Sequence, residues 1–153
     1  AVISRIVPYT PNIQKLASQS GTSRDSLLKF LFYLEKASLV KWLSKSSHGI
    51  NYLNKPDKLY LNNTNLMFAF SEVTPDTGNL RETFFLNQVS VKHNITYPTK
   101  GDFLIDNKYT IEIGGKSKSM KQIKGINNSY IAADNIEYSS KGTIPLWMFG
   151  FLY

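Results

Sequence analysis

Apolar positions recur along this chain in two rhythms. From residue 10 to 37 the spacing is helical: Ile13, Leu16 and Ala17 share one face, and Leu27, Leu28, Leu31 and Leu34 form a second stripe. Thr10-Pro11 is suited to open the first helix and Ser20-Gly21 to close it. Thr22-Ser23-Arg24-Asp25 has the spacing of a capping box, with Asp in place of Glu, and starts the second helix, which ends near Ala37-Ser38. The segments "LVKWLS" and "INYL" then read as two strands around a polar loop from Ser44 to Gly49.

Further on, "KLYLNNTNLMFAF" predicts a strand, a polar turn and a short apolar helix, and "SEVTPDTGN" reads as a linker. A helix is expected from about Asn79 to Val91, with Leu80, Phe84, Phe85 and Val89 as its stripe. "NITYP" is a short strand, and "GDFLIDNKYTIEIGGK" is a hairpin. "KSKSMKQIKG" is a lysine-rich helix candidate, "SYIAAD" a buried strand and "IPLWMFGFLY" an apolar segment of unassigned type. The chain therefore divides into residues 1–58, a connection at 59–77, and a mixed α/β module at 78–153. The fold class is α/β or, with its elements segregated, α+β.

The hairpin alternation carries the chemistry. Alternate side chains of a strand share a face. Thr110, Glu112 and Gly114 point one way, and Ile111 and Ile113 the other. Asp102 and Leu104 share one face, and Phe103 and Ile105 the opposite one. If the apolar faces align, Asp102 and Glu112 lie on the same side. Paired carboxylates are hard oxygen donors suited to Mg²⁺ or Mn²⁺. Glu82, in the first turn of the preceding helix, is a candidate third acid, although an acid there is also favoured simply by the helix N-terminus.

Composition narrows the classes. Of 153 residues, 42% are hydrophobic and 13% aromatic, enough for a packed core, and there is no cysteine, which removes disulfides and thiolate chemistry. No apolar run approaches the roughly 18 to 20 residues of a membrane span, and "AVISRIVPYTP" lacks the charged start and apolar core of a signal peptide. A cytoplasmic location without a membrane partner is expected. With no initiator methionine, the chain is expected to be a processed product or a fragment.

Net charge is +7, and its placement is uneven. Residues 1–58 hold nine basic and three acidic residues, or +6, whereas 59–153 hold nine and eight, or +1. A localised basic excess fits a polyanion partner, most simply DNA, and it also fits a solvated basic surface. Neither His48 nor His93 has a partner at a metal-ligand spacing. "GGKSKS" at 114–119 is not a phosphate-binding loop, because Thr110 stands where that loop's first glycine belongs.

The stretch "NIQKLASQSGTSRDSLLKFLFYLEKASLVKWL" resembles prokaryotic winged helix-turn-helix domains. That resemblance places Ser23, Arg24, Ser26 and Lys29 on a recognition helix facing DNA, with Lys45, Ser46 and His48 on the wing. A winged helix that packs on another domain is the competing reading. The hairpin is similar to the core of PD-(D/E)XK nucleases, of restriction-endonuclease-like fold. There the Asp and the Glu hold the metal and a lysine two residues after the Glu assists at the phosphate. Gly114 occupies that position here. Lys116 has the right parity one step further on, Lys118 and Lys121 lie in the following segment, and Gln122 is placed to bind a phosphate or a water. The remaining reading is a site without its chemistry.

The order of these parts, with "GNLRETFFLNQV" and "IPLWMFGFLY", resembles the C-terminal portion of a prokaryotic family of P-loop (AAA-type) ATPases, in which an ATPase precedes a winged helix and a PD-(D/E)XK-like domain. The resemblance implies a DNA-associated region partnered by the ATPase portion of the same protein, with no ATP hydrolysis by this chain. The nuclease-like domain is expected to be degenerate; the alternatives are an active Mg²⁺-dependent endonuclease and a regulatory region packing on the ATPase.

Overall fold

The computed structural model describes residues 10–45, 55–70 and 74–152. The two helices nearest the N-terminus, α1 (Ile13–Gln19) and α2 (Arg24–Lys36), start on side-chain caps. Asn12, rather than Thr10, accepts from Lys15 N–H, and Ser23, rather than Thr22, accepts from Ser26 N–H. Each first turn leaves N–H groups unpaired, and the nearest short acceptor in the right backbone conformation takes the role. Both helices end in the same way. Thr22 N–H reaches Ala17 C=O and Leu39 N–H reaches Leu34 C=O, with Gly21 and Ser38 in the left-handed region at φ 62° and 56°. The stripe Leu27, Leu28 and Leu31 packs on Ile13, Leu16 and Ala17.

Strand β1 (Val40–Leu43) pairs antiparallel with β2 (Lys58–Leu61) in the register Val40↔Leu61, Trp42↔Leu59. The partner of β1 is thus "KLYL", which the sequence reading places in the connection; "INYL", His48 and Ser46 lie outside the described residues. Alternation splits the pair between two cores. Val40, Trp42, Leu59 and Leu61 face the helices, whereas Leu43 and Tyr60 face the C-terminal sheet. A short helix, α3 (Thr64–Phe70), follows.

Helix α4 (Thr77–Val89) begins two residues earlier than expected, because Asp76 caps it by accepting from Asn79 N–H. It packs on a five-stranded sheet of order β3-β4-β5-β6-β7, formed by β3 (Ile95–Thr96), β4 (Phe103–Ile105), β5 (Tyr109–Gly114), β6 (Ser129–Ala133) and β7 (Thr143–Pro145). The β3-β4 and β4-β5 pairs are antiparallel, and the β5-β6 and β6-β7 pairs are parallel. The architecture is a mixed α/β fold, as its sequence pattern implies.

Phe85 and Phe103 are fully buried and stack at 5.1 Å between centroids, with Tyr60 at 5.9 Å from Phe103 and Phe149 at 4.7 Å from Phe85. Burial of such a side chain contributes roughly 1.5–3 kcal/mol. The lysine-rich segment forms only a 3-10 turn, Met120–Ile123, after an extended Ser119. The terminal apolar segment resolves into β7 and a 3-10 helix, Leu146–Phe151.

Candidate metal centre

The β4-β5 hairpin closes on a tight turn. Lys108 N–H donates to Ile105 C=O, and Asp106 and Asn107 both take left-handed φ angles of 50° and 54°, the geometry favoured by the right-handed twist of paired strands. The register Phe103↔Ile111 then puts Asp102 opposite Glu112. Phe103, Ile105, Ile111 and Ile113 enter one core, so the two acids share the other face, as alternation predicts.

Asp102 is held at both ends. Its N–H donates to Ile111 C=O at 2.9 Å, and its Oδ2 accepts from Ile113 N–H at 2.7 Å. The carboxylate thereby extends the ladder beyond the strand's last backbone pair. Preceding it, Gly101 adopts φ +84°, and a Cβ there would lie 2.8 Å from Thr110 Cγ2 and 3.2 Å from Ile111 C=O. The loop carrying Asp102 can lie this close to β5 only with glycine at that position. Burial, and next the charge of Glu82, push the Asp102 carboxyl up to about 6; the Ile113 hydrogen bond opposes them, and the charge of Glu112 adds to the rise.

Glu112 is 2% exposed, and its Oε1 lies 2.5 Å from Lys118 Nζ. A buried carboxylate without such a partner would be costly. The chain turns after Gly115, where Lys118 N–H donates to Gly115 C=O at 2.9 Å, and the Lys118 stem returns over β5. A Cβ on Gly114 would meet Lys118 Cγ at 2.5 Å and its Cβ and Cδ at 2.6 Å. The space of the missing Gly114 side chain is filled by Lys118. It is therefore Lys118, and not Lys116, that reaches Glu112; Lys116 and Lys121 are exposed. Arg81 supports the same turn, its guanidinium 3.4 Å from a Cβ placed on Gly115 and its Nε 2.9 Å from Asp134 Oδ2.

Asp102 and Glu112 open into a cavity of about 290 Å³ that is also lined by Lys100, Gly101 and Gln122. Gln122 thus lines the same cavity as the two carboxylates. Glu82 lies near enough for its charge to act on Asp102, and its Oε2 accepts from Tyr60 OH at 2.8 Å and Lys58 Nζ at 3.1 Å. Among the described residues no three His, Cys, Asp or Glu side chains converge as a metal-binding group. Asp102, Glu112 and the Gln122 amide remain as oxygen donors. Oxygen donors are the type that Mg²⁺ or Mn²⁺ takes, through one or two carboxylates with water or phosphate oxygens completing the shell.

The helix residues expected at DNA are disposed separately. Ser23 caps α2 and its hydroxyl also contacts Ser26, Arg24 pairs with Asp25 at 3.3 Å, and Lys29 is exposed. Lys45 stands at the end of β1, against the loop after β3. His93 contacts Asp106 at 2.7 Å. Lys58 and Lys100 were given no role by the sequence reading. Their signals are the even alternation of Lys58 with Tyr60 in "KLYL" and the adjacency of Lys100 to Gly101-Asp102. Among the described residues no helix is long and apolar enough to cross a membrane. No family model, curated protein or solved structure matches the chain.

Proposed function

We propose that this chain is a DNA-associated module whose Asp102–Glu112–Lys118 centre acts on phosphodiester bonds with Mg²⁺ or Mn²⁺. The observation that supports it is the return of Lys118 over Gly114 onto buried Glu112, beside the cross-strand Asp102. In this reading Asp102, Glu112 and Gln122 hold the cation, which would supply Lewis-acid stabilisation of the phosphate and an activated water. In the same reading the Lys118 ammonium would neutralise charge developing on a phosphate oxygen. Glu112 fixes that ammonium, and Ile113 N–H fixes the Asp102 carboxylate. The α1-α2 pair with β1-β2 is read as a winged helix-turn-helix, the C-terminal sheet as nuclease-like, and the ATPase portion of a longer cytoplasmic protein as a partner.

A second reading keeps DNA association without hydrolysis. It is favoured by Glu82, the expected third acid, one of whose carboxylate oxygens is already taken by Lys58 and Tyr60. Incubation of the chain with plasmid and oligonucleotide DNA in Mg²⁺, Mn²⁺ or EDTA separates the two. Metal-dependent cleavage that disappears in Asp102→Asn and Glu112→Gln variants supports the first. Intact DNA under all conditions, with Mn²⁺ undetected by calorimetry, leaves only the second.

A further inference from the structure

A second cavity, of about 490 Å³, adjoins the carboxylates and shares Lys100 with them. Its size falls within the roughly 300–1,000 Å³ of small-ligand pockets. Lys45 forms one wall, Thr99 and Lys100 another, and Leu104, Thr110 and Ile126 complete it. Among the described residues no carboxylate lines it. Neither Lys45 nor Lys100 is in an ion pair among the described residues.

The two lysines come from different halves of the chain, and hydrogen bonds tie together the segments that carry them. Tyr97 N–H donates to Ser44 C=O at 2.8 Å, one residue before Lys45, and Lys45 N–H donates to Asp57 Oδ2 at 2.9 Å. Gly101, with its positive φ and its contact with Thr110, holds the Lys100 loop against β5. Two cations with no ion pair among the described residues, around a partly apolar cavity with no carboxylate in its described lining, have the chemistry to seat a polyanion. The apolar wall of Leu104 and Ile126 leaves room for a sugar or base beside the charged group.

We propose that this cavity seats a backbone phosphate of a nucleic-acid strand, one that flanks the phosphodiester facing Asp102 and Glu112, with Lys100 contacting both. The assignment rests on the reading of the carboxylate centre as a phosphodiester site. It adds that strand binding is built at the seam between the two halves. Contacts of this kind position a backbone and carry no base sequence.

The test measures anisotropy of a fluorescein-labelled oligodeoxynucleotide in EDTA, where no cleavage occurs, across a range of salt concentrations. Lys45→Ala and Lys100→Ala are each expected to lower the slope of log K against log salt by about 1, and the double variant to weaken binding by at least tenfold at moderate salt. Lys141→Ala, with the same charge change elsewhere, is expected to bind as the parent does. Parent-like slope and affinity in the double variant overturn the proposal, as does binding of pyrophosphate without any binding of oligonucleotide. Loss of binding in the lysine variants alongside absent Mn²⁺-dependent cleavage leaves this seat standing and removes the hydrolytic reading. Cleavage alongside parent-like binding by the lysine variants does the reverse.

Discussion

Lys118 occupies the volume that a side chain on Gly114 would fill, and from there its ammonium reaches Glu112 Oε1. The two positions therefore act as one choice: a side chain at 114, or the lysine from 118. Gly114→Ala would place a Cβ about 2.5 Å from Lys118 Cγ and move the ammonium off Glu112. Under the hydrolytic reading, cleavage is expected to fall on the order of 10²-fold, the scale of losing one charge-stabilising donor. Gly114→Lys combined with Lys118→Ala restores a lysine two residues after Glu112 and is expected to recover most of the rate. Single-turnover cleavage rates check both.

Removing Lys118 also exposes the cost of burying Glu112. Lys118→Met leaves a carboxylate that is 2% exposed without its cation. A stability loss of roughly 2–3 kcal/mol is expected. Adding Glu112→Gln removes the stranded charge and is expected to recover more than half of that loss. Urea denaturation of the single and double variants provides the measurement.

Glu35 gives stability a pH dependence. Its Oε2 accepts from Trp42 N–H at 2.6 Å, and burial, outweighing that hydrogen bond and the charges of Lys41 and Lys36, pushes its carboxyl up to about 7. A carboxyl raised on folding favours the folded state fully below its unfolded pKa. The benefit is lost as pH rises through the folded pKa. Thermal midpoints are thus expected to fall between about pH 4.5 and 7. Glu35→Gln keeps an acceptor for Trp42 and is expected to flatten that part of the profile. Asp102, raised to about 6, acts in the same direction at lower pH and remains in the variant.

Gly101→Ala is expected to damage fold and site together. The residue sits at φ +84°, and the added Cβ would press on Thr110 and on Ile111 C=O. Left-handed strain alone costs on the order of 1–3 kcal/mol. Relief by movement of the loop would draw Asp102 and Lys100 out of place. A lowered thermal midpoint together with weakened Mn²⁺ binding, measured by calorimetry, is the expected pair of results.

Ser38→Gly acts the other way. Ser38 closes α2 at φ 56°, a conformation that costs a residue with a Cβ about 1–2 kcal/mol. Relief of that strain is expected to raise the thermal midpoint by roughly 2–4 °C, as read by circular dichroism.

Much of this arrangement is legible in the amino-acid sequence. Alternation in "DFLI" and "YTIEI" placed Asp102 and Glu112 on one face, because the pairing of two short apolar strands leaves little freedom of register. The helical stripes were equally plain. The choice among lysines was not, because strand parity extends only while the chain stays extended. It favours Lys116, but the turn at Gly115 ends the strand and returns Lys118 over its own start. The lysine-rich segment carried a helix-like composition, yet one of its lysines is drawn onto Glu112 and Ser119 remains extended. Strand partners were hidden for a related reason. Local pattern shows that "LVKWLS" is a strand, whereas its pairing with "KLYL" is decided by two cores that need opposite faces of one ribbon. The Tyr60 hydroxyl and Lys58 on Glu82 are likewise contacts between elements distant in sequence.

That ribbon has a consequence for how the molecule comes apart. With Trp42 and Leu59 packed on the helices and Leu43 and Tyr60 packed on the sheet, neither half can melt without uncovering the other's floor. Heat or denaturant should meet one cooperative transition, seen alike by helix and sheet signals. Evolution or an engineer could not trade one half for a foreign module by cutting at the junction, because the graft would have to bring its own strand to complete the neighbour it joins.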